Sequence, residues 1–196
     1  MKKTPRLNDP RVTRTKQLLV DALLDLTQHT KAGDITVKQL ADKAKVDRKT
    51  FYRHFAGMPD FLNHVINNVF DYLQHTPQKS DFRSHDAAII YYTGFFEAVR
   101  KNKVFFSSML GQNGLPDFRE RFRTKRRTWH TAMLRSFHGE FNQSVDSELL
   151  AATFIAVLLS MIEHWLHHEF THSSEYMADQ LVRLTHDRVL VAYECV

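Results

Sequence analysis

Apolar residues recur at helical spacing along most of the chain, and the recurrences break at a few polar, Gly- or Pro-bearing points. Asn8 or Asp9 followed by Pro10 reads as a helix start, and Leu18, Leu19, Ala22, Leu23 and Leu26 give that helix one apolar face until about His29. Lys31, Ala32, Gly33 and Asp34 interrupt the pattern. Thr36 with Gln39 three positions on is a capping-box pattern, and Val37, Leu40, Ala41 and Ala44 predict a short second helix with one buried side. Asp47 can cap a third short helix, Arg48 to His54. Gly57 and Pro59 launch a fourth, with Phe61, Leu62, Val65, Ile66, Val69, Phe70 and Leu73 turned inward. The unpatterned stretch 76–84, with Pro77, predicts a loop. Periodic segments follow near 86–100, 103–110, 116–138, 146–169 and 174–193. No repeat or convincing strand interrupts this series, so the expected fold is all-α: an N-terminal three-helix domain over residues 1–57 and a helical bundle over 58–196.

Composition narrows the picture. With 43% hydrophobic and 25% charged residues, but only six Gly and five Pro in 196 positions, the chain has the make-up of a globular protein built from long helices. Its single cysteine, Cys195, cannot form an intramolecular disulfide, which suits a reducing cytoplasm. Lys2, Lys3 and Arg6 are not followed by an apolar stretch, so no secretory signal is expected. The uncharged apolar run 149–162 counts fourteen residues, which predicts a buried core helix and no membrane association. Charge is unevenly spread: residues 1–57 carry a net +7 and residues 58–196 a net −2. A positive excess confined to the first third of a chain points to a nucleic-acid face.

Within that basic third, residues 36–55 form a pattern of two short helices and a tight turn at Lys45 and Val46. Leu40, Ala41, Ala44 and Val46 can pack the pair together, and Phe51 and Phe55 supply the inner side of the second helix. Its outer face is then Arg48, Lys49, Thr50, Tyr52, Arg53 and His54. All can donate hydrogen bonds and none is acidic, which suits a DNA major groove and its flanking phosphates.

These residues resemble the TetR family of bacterial transcription regulators, whose helix-turn-helix ends in a Thr-aromatic-Tyr-x-x-Phe signature matched by Thr50, Phe51, Tyr52 and Phe55. The resemblance runs from about Arg14 to Leu62. The C-terminal half is similar to the branch containing regulators of dihydroxyacetone kinase operons. The resemblance implies base-edge or phosphate contacts for Arg48, Lys49, Thr50 and Tyr52, and backbone contacts for Arg53 and His54. It implies phosphate contacts for Thr36 and Arg14, with Lys45 at the turn. It further implies a homodimer on double-stranded DNA, a small-molecule effector, no cofactor, and a repressor rather than an activator. Two positions depart from the family. Lys45 stands where Gly is common, so either the turn differs or the residue bears a positive φ at a cost of about 1 kcal/mol. Met58 and Pro59 stand where a Lys commonly opens the fourth helix, leaving that helix's N-terminal amides to meet a phosphate.

Beyond the motif the chemistry is less specific. Leu149, Ala152, Ile155, Ala156, Leu159, Ile162 and Leu166 predict a helix apolar on most sides. With Met177, Leu181, Leu184, Val189 and Ala192 it could pair two subunits. Aromatic residues crowd the middle (Tyr91, Tyr92, Phe95, Phe96, Phe105, Phe106, Phe118, Phe122, Trp129); they make ordinary core or an effector pocket. For a pocket, Tyr92, Phe96, Trp129 and Met133 are the candidate lining. Six basic residues lie in 119–127, and the sharing of one helical side by Arg119, Arg123, Arg126 and Arg127 predicts a solvated basic face, with an anionic effector or an extra DNA contact as the alternative. His168-Glu169-Phe170-Thr171-His172 spells the zinc-peptidase pattern, with His164 and His167 nearby. Thr171 to Ser174 instead reads as a helix end and a new cap, so neither a catalytic residue nor a metal site is expected. A chromosome-organising protein of the same fold would use the same DNA-facing residues.

Overall fold

The computed structural model describes residues 10–74, 85–136 and 146–185, with backbone alone at residues 74, 129 and 132–136. The expected loop at 76–84 and positions 186–193 of the expected last helix, Val189 and Ala192 included, lie outside the described residues. What is described is helical throughout: α1 (Pro10–Leu26), a 3-10 turn (Ala32–Asp34), α2 (Val37–Ala44), α3 (Arg48–His54), α4 (Met58–Gln74), α5 (His85–Lys101), α6 (Lys103–Leu110), α7 (Phe118–Ser136), α8 (Ser147–His167) and α9 (Ser174–Thr185). Contacts divide the chain into a first unit, residues 1–68 with 108–115, and a second, residues 69–107 with 116–196.

The first unit is built on one apolar cluster. Leu19, Ala22 and Leu23 of α1 are buried, as are Leu40, Ala41 and Ala44 of α2. Phe51, Phe55 and Phe61 form an aromatic triad with ring centroids 5.0–5.8 Å apart. Removing each ring from water stabilises the unit by roughly 2 kcal/mol. Leu18, expected on the same face as Leu19, is 41% exposed: it points about 100° round the helix from Leu19 and falls at the edge of the buried stripe. The 108–115 segment is tied to this unit by hydrogen bonds to main-chain carbonyls. The Ala32 N–H donates to the Asn113 carbonyl at 2.7 Å, and the Ser108 hydroxyl donates to that of Leu24 at 3.4 Å.

The second unit has an aromatic core. Phe95, Phe96, Phe106, Phe118 and Phe122 are essentially inaccessible, and Phe70 stacks on Phe118 with centroids 6.0 Å apart. Trp165, which the sequence pattern did not single out, is fully buried and donates its indole N–H to the His172 carbonyl at 3.1 Å. Helix α8 has 21 residues, filling most of the expected segment 146–169, and by length and composition alone it could cross a membrane. Ala151, Ile155, Leu158, Leu159, Ile162 and Trp165 make its buried side, whereas Leu149 is 63% exposed.

Candidate nucleic-acid interface

The helix-turn-helix is fixed by three local devices. Thr36 closes a capping box: its hydroxyl accepts from the Gln39 amide at 3.2 Å, and the Gln39 carboxamide accepts from the Thr36 amide at 2.9 Å. The hydroxyl proton also goes to Gln39, at 2.7 Å. At the turn, the Val46 amide donates to Ala41 and the Lys45 amide to Asp42, a Schellman closure with Lys45 at φ 53°, ψ 41°. The turn therefore keeps left-handed geometry without its glycine. Asp47 then caps α3, its carboxylate accepting the Lys49 amide at 2.7 Å.

With Phe51 and Phe55 anchored inward, α3 presents Arg48, Lys49, Tyr52 and Arg53 as exposed side chains, with Thr50 and His54 half-buried at the edges. Tyr52 is 52% exposed and meets Phe51 edge-on, which holds its ring upright on the helix surface. Lys45 and Arg14 are exposed, and Thr36 is exposed at the start of α2. Lys16 was missed by sequence reasoning. Its ammonium lies 5.6 Å from the Phe55 ring centroid, placing a further cation beside the third helix. Burial, Arg53 and Lys16 together lower the His54 pKa from its usual value, favouring a neutral hydrogen-bonding imidazole.

Just before α4, the Ala56 amide donates to the Asp60 carboxylate at 2.9 Å, which fixes the chain's entry into the helix and places an acid in its first turn.

In the second unit Tyr92 and Phe96 are buried, at 3% and 0% exposure, within α5. The side chains of Trp129 and Met133 lie outside those described. The basic 119–127 stretch is not one solvated face. Arg119 pairs with Glu163 at 2.7 Å and Arg121 with Asp117 at 2.7 Å, whereas Arg126 is buried, 2% exposed, its guanidinium 4.7 Å from the Phe95 centroid. The spacing explains the correction: Arg126 lies four residues after Phe122, which lies four after Phe118, so it also belongs to the inward stripe.

The His168–His172 pentapeptide crosses a helix end. Helix α8 stops at His167, and Glu169 and Phe170 adopt φ of 51° and 59°. The Phe170 amide closes the end on the Trp165 carbonyl at 3.0 Å, so His168 and His172 are not one turn apart on a helix. Among the described residues no group of three or more His, Cys, Asp or Glu is arranged to hold a metal.

An all-helical chain with a capped helix-turn-helix and a donor-rich, acid-free recognition face belongs to the class of helix-turn-helix regulators. A family model for the C-terminal region of transcriptional regulators, TetR_C_8, matches residues 86–187. This chain belongs to the TetR family of transcriptional regulators. No curated protein matches it at a level that marks a relative. Solved structures share its fold. A TetR regulator from Streptococcus agalactiae 2603V is 20% identical with a TM-score of 0.67, the match covering 89% of this chain and 95% of that one. The dihydroxyacetone kinase operon activator DhaS is 17% identical with a TM-score of 0.62, over 90% and 97%. NalD, the secondary repressor of the MexAB-OprM multidrug efflux pump in Pseudomonas aeruginosa, is 16% identical with a TM-score of 0.66, over 90% and 96%.

Proposed function

We propose that this regulator is a ligand-responsive repressor that binds a near-palindromic operator as a homodimer in the cytoplasm, and that it is not an enzyme. The observation that carries the reading is the outer face of α3, where Arg48, Lys49, Tyr52 and Arg53 stand exposed with no acid among them. DNA binding stays within residues 1–57. Arg48, Lys49, Thr50 and Tyr52 meet base edges or phosphates, Arg53 and His54 face the backbone, and Arg14, Thr36 and Lys45 lie against phosphates. Residues 58–196 pair the subunits and take the effector. Pairing is supported by the α8–α9 face, where Leu149, Tyr176 and Leu184 are 63%, 46% and 58% exposed. A groove of about 680 Å³ there includes Ala156, Met161, Tyr176 and Leu184 in its lining. Two-fold pairing across such a face makes a four-helix bundle and sets two recognition helices one DNA turn apart. Effector binding among the α5–α8 aromatics acts through α4, whose residues 58–68 belong to the first unit and 69–74 to the second.

Two measurements test this. Sedimentation with operator DNA should give two chains per site and a footprint of two inverted half-sites about 10 base pairs apart, centre to centre, or a multiple of that. Deleting the gene should raise expression of the adjacent target. One chain per site, or expression that falls on deletion, would contradict dimeric repression.

A further inference from the structure

Helices α5, α7 and α8 bring an unusual polar group into the aromatic core of the second unit. Tyr91, Tyr92, Arg126 and His130 are each no more than 3% exposed. The Tyr92 hydroxyl and His130 Nε2 are 3.2 Å apart, the His130 ring stacks on Phe154 at 4.1 Å, and the Arg126 guanidinium lies over Phe95. Arg126 and His130 are one turn apart on α7, and Arg126 is close enough to Tyr92 and His130 for its charge to act on both. Among the described residues it is the one fully buried Lys or Arg.

The chemistry of the group is selective. A guanidinium stays charged wherever it is placed, and moving one out of water costs several kcal/mol, so its surroundings favour anions. Its planar fork has five N–H donors, and a carboxylate takes up two of them, so it can accept an incoming acid beside an intramolecular contact. Burial raises the Tyr92 pKa and keeps the phenol neutral; burial, reinforced by Arg126, lowers that of His130 and keeps the imidazole neutral. A neutral Tyr–His pair holds two acidic protons and shares one of them in the bond between the rings, in either tautomer. One cation, the neutral Tyr92–His130 pair beside it and the rings of Phe95 and Phe154 against them match a singly charged head on an apolar body.

We infer that the C-terminal unit binds a carboxylate-bearing small molecule, its acid group held by Arg126 with the Tyr92–His130 pair and its body against the surrounding phenylalanines. The inference rests on the effector role proposed above for this domain and names the ligand's chemistry.

The test uses the full-length protein with four acids, benzoate, phenylacetate, hexanoate and octanoate, each against its neutral amide, followed by thermal shift and calorimetry. At least one acid should bind and raise Tm, with its amide about tenfold or more weaker. Arg126→Met should lose the response to that acid and Tyr92→Phe should weaken it several-fold, both retaining operator binding. Should Arg126→Met not fold, Tyr92→Phe, which removes one oxygen, and the acid–amide comparison in the wild type carry the decision. No binding by any of the four acids, equal binding of acid and amide, or full binding by Arg126→Met overturns the inference. An acid that binds through Arg126 and leaves operator affinity unchanged supports the site and contradicts only its role as an effector site.

Discussion

Two side chains show how a single position can be read in two ways until packing decides. Lys45 sits where a left-handed residue closes α2, and its φ of 53° shows that the turn keeps its geometry and the lysine bears the strain. Lys45→Gly should therefore raise stability by about 1 kcal/mol in urea unfolding, because Gly reaches this region without a Cβ clash. Unchanged or lower stability would mean that the strain has been relieved elsewhere. Arg126 satisfies the spacing of the exposed arginines and equally that of Phe118 and Phe122. A helix wheel cannot rank those faces; the contact with Phe95 does.

At the level of elements most of the helical series was legible, since strong punctuation accompanies strong periodicity. Thr36 with Gln39 and Asp47 before Arg48 form the caps their patterns imply. Helix ends without a cap signature were harder: α1 stops at Leu26 rather than near His29. At α8 the sequence puts the end at Thr171 to Ser174, and the helix stops a little earlier, after His167, where the Phe170 amide closes on the Trp165 carbonyl. The 108–115 segment was invisible in the sequence as part of the first unit. A Cβ on Gly114 would collide with the backbone of Met109 and Ser108, so the turn that returns the chain there needs glycine. Gly114→Ala should cost about 1–3 kcal/mol in urea unfolding. A change near zero would show that the turn relaxes freely.

For the molecule as a whole, the division of charge matches the division between the helix-turn-helix and the region the family model covers. The basic first third contains the helix-turn-helix, and the near-neutral remainder contains the region matched by the regulator family model. DNA-facing candidates could be named from sequence because a recognition helix needs its polar residues outside and its anchors inside, and Phe51 and Phe55 fix which side is which. The effector side was less readable, because Tyr92 and Phe96 obey the same apolar rule as any core residue. The central claim is sequence-specific DNA binding through α3. It is tested most directly by selecting genomic fragments bound by the purified protein at near-physiological salt and sequencing them, beside the Tyr52→Ala variant. The account predicts a few enriched sites sharing an inverted repeat, lost in the variant while its fold persists. Diffuse, strongly salt-dependent binding that Tyr52→Ala leaves unchanged would contradict it, reducing the basic third to a general DNA anchor.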